Sequence, residues 1–143
     1  MAREYPDFPI PSVGVVVVHE GRALLIQRGN EPARGRWSIP GGVIETGELL
    51  HEAARREIRE ECGIEIEVGP MLQIFESVTR DAEGRVRFHY VILDLLGHPT
   101  SGEVRAGGDV LEARYVGVDE LDALDVLPDA AKLVREVLAR ADR

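Results

Sequence analysis

The sequence predicts an α/β chain, a mixed β-sheet sandwiched between α-helices, and three observations lead there. Val13–His19 and Ala23–Arg28 are apolar, strand-length runs separated only by Glu20-Gly21. The segment from Thr46 to Gly63 carries an apolar stripe at helical spacing. A second set of extended segments then precedes an amphipathic stretch at Ala130–Ala139. Strands and helices interleaved in this way bury their apolar faces by stacking helix on sheet.

Taken in order, Glu20-Gly21 is a hairpin turn between the first two strands. A Gly- and Arg-rich stretch follows, containing Gly35-Arg36-Trp37-Ser38-Ile39-Pro40-Gly41-Gly42 and reading as loop and turn. Thr46 is the expected helix N-cap, with Glu48 in a first turn that favours negative charge and Gly63 in the left-handed position after the last turn. Ile64–Val68 and Leu72–Thr79 read as extended, and Asp81-Ala82-Glu83-Gly84 turns the chain into Val86–Leu96. Gly97 to Gly108 is expected to be a long polar loop, with Ala113–Val118 returning as a strand. The last helix should turn Leu133, Val134, Val137 and Leu138 inward. No linker, repeat or low-complexity tract interrupts residues 1–143, so one domain with one core is expected.

Charge and composition narrow the function. A net charge of −9 argues against broad binding to nucleic acid or an anionic membrane. It leaves room for a small anionic substrate, because bound cations and a few arginines reverse a field locally. No apolar stretch approaches a membrane span, and Met1–Pro11, with acidic residues and three prolines, is unlike a signal peptide. The one cysteine, Cys62, forms no intrachain disulfide, which fits a reducing cytoplasm; its helix-end place and lack of a His partner favour packing.

The helix end carries the most information. Glu57, Glu60 and Glu61 stand at i, i+3 and i+4 and share one face. Each like-charged pair costs about 0.2–0.5 kcal/mol. The two in the last turn also oppose the helix dipole, by about 0.3–1 kcal/mol each. Runs of Glu usually mark a solvated face, but the helical wheel argues otherwise. Leu49, Leu50, Ala53, Ala54 and Ile58 form the apolar stripe; Glu57 and Glu61 continue its middle, and Glu60 lies near its edge. Glu52, Arg55 and Arg59 supply the polar side. Charges on an inward face must be paired or hold metal. Oxygen ligands suit a hard divalent ion, and Mg²⁺ is the usual partner of phosphates.

From Gly42 to Ile64 the chain resembles the Nudix box. That box is Gly, five residues, Glu, seven residues, Arg-Glu, an aliphatic residue, any residue, Glu-Glu, any residue, Gly and an aliphatic residue. Gly42, Glu48, Arg56, Glu57, Ile58, Glu60, Glu61, Gly63 and Ile64 fill it without departure. The lead-in Trp37…Pro40-Gly41-Gly42 is similar too, and looser likeness continues through Phe88-His89-Tyr90 and Glu112–Val116. The resemblance implies the Nudix fold and hydrolysis of a nucleoside diphosphate linked to a group X, by attack of water on a pyrophosphate phosphorus. It implies Mg²⁺, with Mn²⁺ able to substitute, held by Glu57, Glu60 and Glu61 and by the Gly41 carbonyl. Arg56 with Glu48 would order the helix and its carboxylates.

The same resemblance leaves the general base between Glu57 and a later loop, where Glu103, Asp109 and Glu112 are candidates that read equally as surface acids. Arg28 matches a phosphate-contacting place in relatives, with a surface arginine as the equal alternative. Trp37 either stacks on a nucleobase or, with more weight, is a buried aromatic; His89 and Tyr90 read as packing, and His19, His51 and His98 lack ligand spacing.

On substrate, Phe75-Glu76…Arg85–Tyr90 is most similar to small bacterial ADP-ribose pyrophosphatases, although Thr79-Arg80-Asp81 stands where many of these have a proline. The tyrosine of dinucleoside-polyphosphate hydrolases and the extended motifs of NADH and coenzyme A hydrolases are not apparent. ADP-ribose or a related nucleotide sugar is therefore the first expectation. A triphosphatase acting on oxidised or non-standard nucleotides is the second. A non-catalytic nucleotide-binding module is the third, although such modules commonly lose box carboxylates and none is lost here. The expected partner is a small nucleotide, with no nucleic acid and no membrane, and a homodimer would be in keeping with the ADP-ribose relatives.

Overall fold

Residues 3–141 are described by the computed structural model; of the Met1–Pro11 segment, the first two residues lie outside it. The elements are β1 (Ile10–His19), β2 (Arg22–Gln27), β3 (Trp37–Ser38), β4 (Gly41–Val43), α1 (Leu50–Cys62), β5 (Glu65–Arg80), β6 (Val86–Ser101), β7 (Glu112–Val116) and α2 (Pro128–Ala141). A 3-10 turn, Val118–Ala123, precedes α2.

β1 organises the sheet. It runs parallel to β6 from Ile10↔Tyr90 to Val17↔Gly97, while Ser12–Gly14 pair antiparallel with β4. Further along, Val18 and His19 pair antiparallel with β2, which in turn holds β3 and β7. β5 lies antiparallel along β6. Parallel and antiparallel pairs share one sheet, as the sequence predicts. The uninterrupted apolar run of β1 follows from burial on both faces, since Val13 and Val15–Val18 are all buried. Val15 and Val17 pack with Leu24, Ile26, Ala54, Ile58 and Cys62 under α1. Val16 and Val18 pack with Leu25, Trp37, Val134, Val137 and Leu138 under α2. Each face thus receives one helix.

The β1–β2 turn forms as expected. Glu20 and Gly21 both have positive φ (51° and 76°), the geometry of a two-residue I′ hairpin. α2 begins at Pro128, earlier than Ala130, because proline is tolerated where an amide has no helical partner. Its four predicted inward residues are all buried.

Several boundaries differ from expectation. Thr46 is not the N-cap of α1: Gly47 adopts φ 89° and the Glu48 amide donates to the Glu45 carbonyl at 3.0 Å, closing a turn before the helix. The cap falls at exposed Leu49, whose amide donates to Glu52 Oε1 at 2.9 Å, so Leu49 leaves the apolar stripe and Glu48 stands outside the helix. The Gly69-Pro70 break is only a register shift between Val68 and Met71 within one continuous β5. β6 continues to Ser101, shortening the expected Gly97–Gly108 loop. Pro99 is accommodated because the β1 partner ends opposite Gly97, leaving β5 as its neighbour. β3 and β4, read from sequence as loop, are too short for any periodicity to show.

The remaining loop, 102–111, is fastened across the end of α1. The Arg105 amide donates to the Cys62 carbonyl and the Gly107 amide to the Glu61 carbonyl, both at 3.0 Å, and the Leu111 amide reaches the Gln27 carbonyl at 3.0 Å. The first two bonds satisfy carbonyls that a helix C-terminus leaves open, and the third ties the loop to the end of β2. At Gly29 a Cβ would collide with the Asp109 carbonyl oxygen. Gly29→Ala should therefore lower stability by about 1–3 kcal/mol through overpacking against backbone. Chemical denaturation checks this, and an unchanged midpoint would show that the loop does not rest on Gly29.

Candidate active site

The Arg56 guanidinium is the fixed centre of the site. Its Nε donates to Glu48 Oε2 at 2.6 Å and its Nη2 to Glu48 Oε1 at 2.9 Å, a two-pronged clamp. Nη2 also donates to the Val43 carbonyl at 3.0 Å, tying the helix to β4. Nη1 donates to Glu57 Oε1 at 2.8 Å and Glu60 Oε2 at 3.2 Å. This set explains why Glu48 lies outside the helix: it must face the second turn from the side. The clamp and the Glu45 amide hold the Glu48 carboxyl well down, to about 2. The Glu48 bond raises Arg56 further above its ordinary range.

Glu57 and Glu61 sit deepest. Burial raises the Glu57 carboxyl, opposed by the hydrogen bond and charge of Arg56 and further by the charge of Arg3. Burial also pushes Glu61 up to about 8. The bond from the Gly41 amide (2.8 Å to Oε1) and the Arg28 charge oppose that rise, while Glu57 and Glu60 reinforce it. Glu60 remains half-exposed at the rim. The glycines before the helix have a steric purpose: a Cβ on Gly42 would lie 2.5 Å from the Glu57 carboxyl, and one on Gly41 would strike the Val13 carbonyl.

The structure thus gathers Glu48, Arg56, Glu57, Glu60, Glu61 and Gly41, with Arg28 acting electrostatically on Glu61. Arg28 lies just past β2, its Nε donating to the Pro32 carbonyl at 2.7 Å. The loop acids are less tightly engaged. Glu103 and Asp109 are exposed on the loop fastened to the end of α1, and exposed Glu112 in β7 faces Arg114 at 3.8 Å. Trp37 is buried in the core under α2, the structural alternative of the sequence reading. His89 and Tyr90 lie within the β5–β6 ladder. The Cys62 thiol is buried and pushed up to about 12, so it packs and does not react.

Two residues escaped the sequence reading. Asp94 is 4% exposed and accepts from Gln73 Nε2 at 2.9 Å; a lone acid inside Val91–Leu96 was a visible signal. Arg3 had no signal in the sequence, and its charge is the weakest of those that oppose the rise of the Glu57 carboxyl.

No three His, Cys, Asp or Glu side chains are drawn into a ready-made cage among the described residues. Glu57 and Glu60 lean on Arg56 and Glu61 on Gly41, so binding an ion would redirect carboxylates already in one place. The donor set is all oxygen, anionic and partly desolvated, and it fits a hard divalent cation.

The family model described as "NUDIX domain" matches residues 9–138. The chain is 35% identical over 138 residues to the ADP-ribose pyrophosphatase of Methanocaldococcus jannaschii, covering 95% of this chain and 78% of that protein. It is 36% identical over 121 residues to the RNA pyrophosphohydrolase of Novosphingobium aromaticivorans, covering 80% and 70% respectively. Among solved structures, a MutT Nudix hydrolase from Burkholderia pseudomallei superimposes with a TM-score of 0.79 at 29% identity, over 92% of this chain and 99% of that one.

Two outcomes follow. Gly42→Ala should leave the fold intact but displace the Glu57 carboxyl, lowering kcat by roughly 100-fold, the scale of a 1 Å misplacement. Circular dichroism and steady-state kinetics together check this, and wild-type turnover would refute it. In metal-free protein, Glu61 is raised from its ordinary 4.5 to about 8, so folding favours its protonated form. Its contribution to stability is then lost as pH rises from about 4.5 through about 8. Melting temperature in chelator should fall over that window, and excess Mg²⁺ should restore most at the alkaline end. A chelated melting temperature that rises there would contradict the assignment.

Proposed function

The chain belongs to the Nudix family and is a Nudix pyrophosphohydrolase, and from that premise we propose that its substrate is ADP-ribose or a related nucleoside diphosphate sugar. The 35%-identical relative that bears that activity in its name supports this choice. The observation that carries the catalytic reading is the gathering of three carboxylates at the end of α1, Glu57 and Glu60 both accepting from Arg56 Nη1 and Glu61 accepting from the Gly41 amide. Nudix hydrolases use divalent metal ions; we take the ion here to be Mg²⁺, with Mn²⁺ as substitute.

Glu57, Glu60 and Glu61 would hold the ion, with the Gly41 carbonyl as a further ligand. When bound, the ion would neutralise phosphate oxygens, lower the pKa of an attacking water and ease departure of a phosphate. The chain's own residues do the rest. Arg56, clamped by Glu48, keeps the carboxylates aimed together. Arg28 binds a phosphate through the guanidinium edge left free by Pro32. One acid from the group Glu57, Glu103, Asp109 and Glu112 accepts the proton of the attacking water. The products from ADP-ribose would be AMP and ribose 5-phosphate. The lone buried thiol fits a reducing cytoplasm as the place of action.

Glu61→Gln should abolish most metal-dependent turnover and leave the fold intact. The test is phosphate release with Mg²⁺ or Mn²⁺ from ADP-ribose, nucleotide sugars, dinucleotides and triphosphates, coupled to a phosphatase, with pyrophosphate detected separately. Strong ADP-ribose turnover supports the reading. Preferential release of pyrophosphate from triphosphates replaces it with the nucleotide-sanitising reaction, and near-normal rates in the variant remove Glu61 as a ligand.

A further inference from the structure

We propose that the loop 102–111 is a spacer that holds the metal-binding end of α1 in register with the Arg28 turn, and that Gly107 is a positioning residue for Glu60 and Glu61. This rests on the pyrophosphohydrolase reading of the glutamate cluster but not on the choice of ADP-ribose. Glu60 and Glu61 stand in the last turn of α1, where backbone carbonyls lack helical partners and a helix frays most easily. Gly107 closes that turn from outside. Its amide donates to the Glu61 carbonyl at 3.0 Å, and a Cβ on it would overlap the Glu60 carbonyl oxygen. Gly107 is not one of the glycines with positive φ, so close approach, and not backbone conformation, requires glycine here. The Arg105 amide takes the Cys62 carbonyl at 3.0 Å, so the loop grips the helix end twice.

The other end of the loop sits on the Arg28 turn. The Asp109 carbonyl oxygen occupies the space that a Cβ on Gly29 would need, and the Leu111 amide donates to the Gln27 carbonyl at 3.0 Å. Arg28 lies between these two contacts. Its own backbone is fixed, the amide donating to the Arg36 carbonyl at 2.8 Å and the carbonyl accepting from the Gly35 amide at 2.7 Å. The loop is stiff between its ends. The Val110 amide donates to the Gly107 carbonyl at 3.2 Å, closing a turn, and Val104 and Val110 pack against the core under α1. A run of direct contacts therefore joins the backbone of two glutamates to the backbone of the arginine that is to bind phosphate. An ion held by the first must meet a phosphate held by the second, and a misplacement of about 1 Å between them lowers the rate by roughly 100-fold.

Gly107→Ala lifts the loop without altering any charge at the site. In chelator, hydrogen exchange at the Arg105 amide should quicken about tenfold as the grip loosens. Calorimetry should show Mg²⁺ binding about tenfold weaker, the scale set by groups that orient metal ligands. On the nucleotide that the wild type hydrolyses fastest, kcat should fall by roughly 100-fold. Gly29→Ala, at the other end, should keep Mg²⁺ affinity without nucleotide and lower kcat on the same scale. The double variant should lose no more kcat than the worse single one, because either change breaks the same register. Gly108→Asn, in the same loop, keeps a left-handed backbone (φ 60°) and points into open space, so it should retain both Mg²⁺ affinity and kcat. Losses that multiply in the double variant would show two independent packing defects and overturn the spacer, as would unchanged Mg²⁺ affinity in Gly107→Ala. A wild type that binds Mg²⁺ but hydrolyses no nucleotide would count against the pyrophosphohydrolase reading alone, and the exchange and calorimetric differences would still decide the role of Gly107.

Discussion

The clamp between Arg56 and Glu48 is the interaction on which the site depends. α1 must present three carboxylates on one face, and they repel one another. Arg56 lies on that same helix and would project into open space without a fixed counter-charge. Glu48, held in the turn before α1 by the Glu45 amide, supplies it through two short bonds. With one edge of the guanidinium so occupied, the remaining N–H groups face Val43, Glu57 and Glu60. Arg56 thus ties helix to strand and fixes two acids at once. A lysine has neither the planar fork nor enough donors for this.

The acids themselves are graded by burial. Glu60 is half-exposed and leans on Arg56; Glu57 is partly buried against Gly42; Glu61 is deepest and rests on a backbone amide. Desolvation rises along that series, and with it the tendency to hold a proton without an ion. A divalent cation bound there would remove that tendency, because it would offer the carboxylates a stronger partner than the proton or the amide. Clustered negative charge that is destabilising alone would become favourable on binding, coupling metal affinity to a site assembled by the fold.

Much of this was legible in the sequence, for identifiable reasons. The apolar periodicities of β1, β2, α1 and α2 are long enough to read, and burial on both faces of β1 follows from its unbroken run of valines. The carboxylate face was visible because Glu57 and Glu61 prolong an apolar stripe. What was not legible is set by contacts distant in sequence. β3 and β4 are two and three residues long and exist only because β2 and β1 offer them edges. The helix start was misplaced because Thr46 is a good capping residue in the wrong conformation. Gly47 turns the chain there, and Glu48 serves Arg56 instead of the helix dipole. Local propensity lost to a tertiary demand.

An acidic protein with an acidic site must still receive an anion. The net charge of −9 is spread over the surface, whereas the field at the site depends on the nearest few groups. Arg56 is spent on three glutamates, so it cannot serve the substrate. Arg28 acts on Glu61 and has Pro32 on its Nε, leaving part of its guanidinium for a phosphate. The field that meets the anion therefore depends on cations that the glutamates do not consume, and Arg28, just past β2, is one of them.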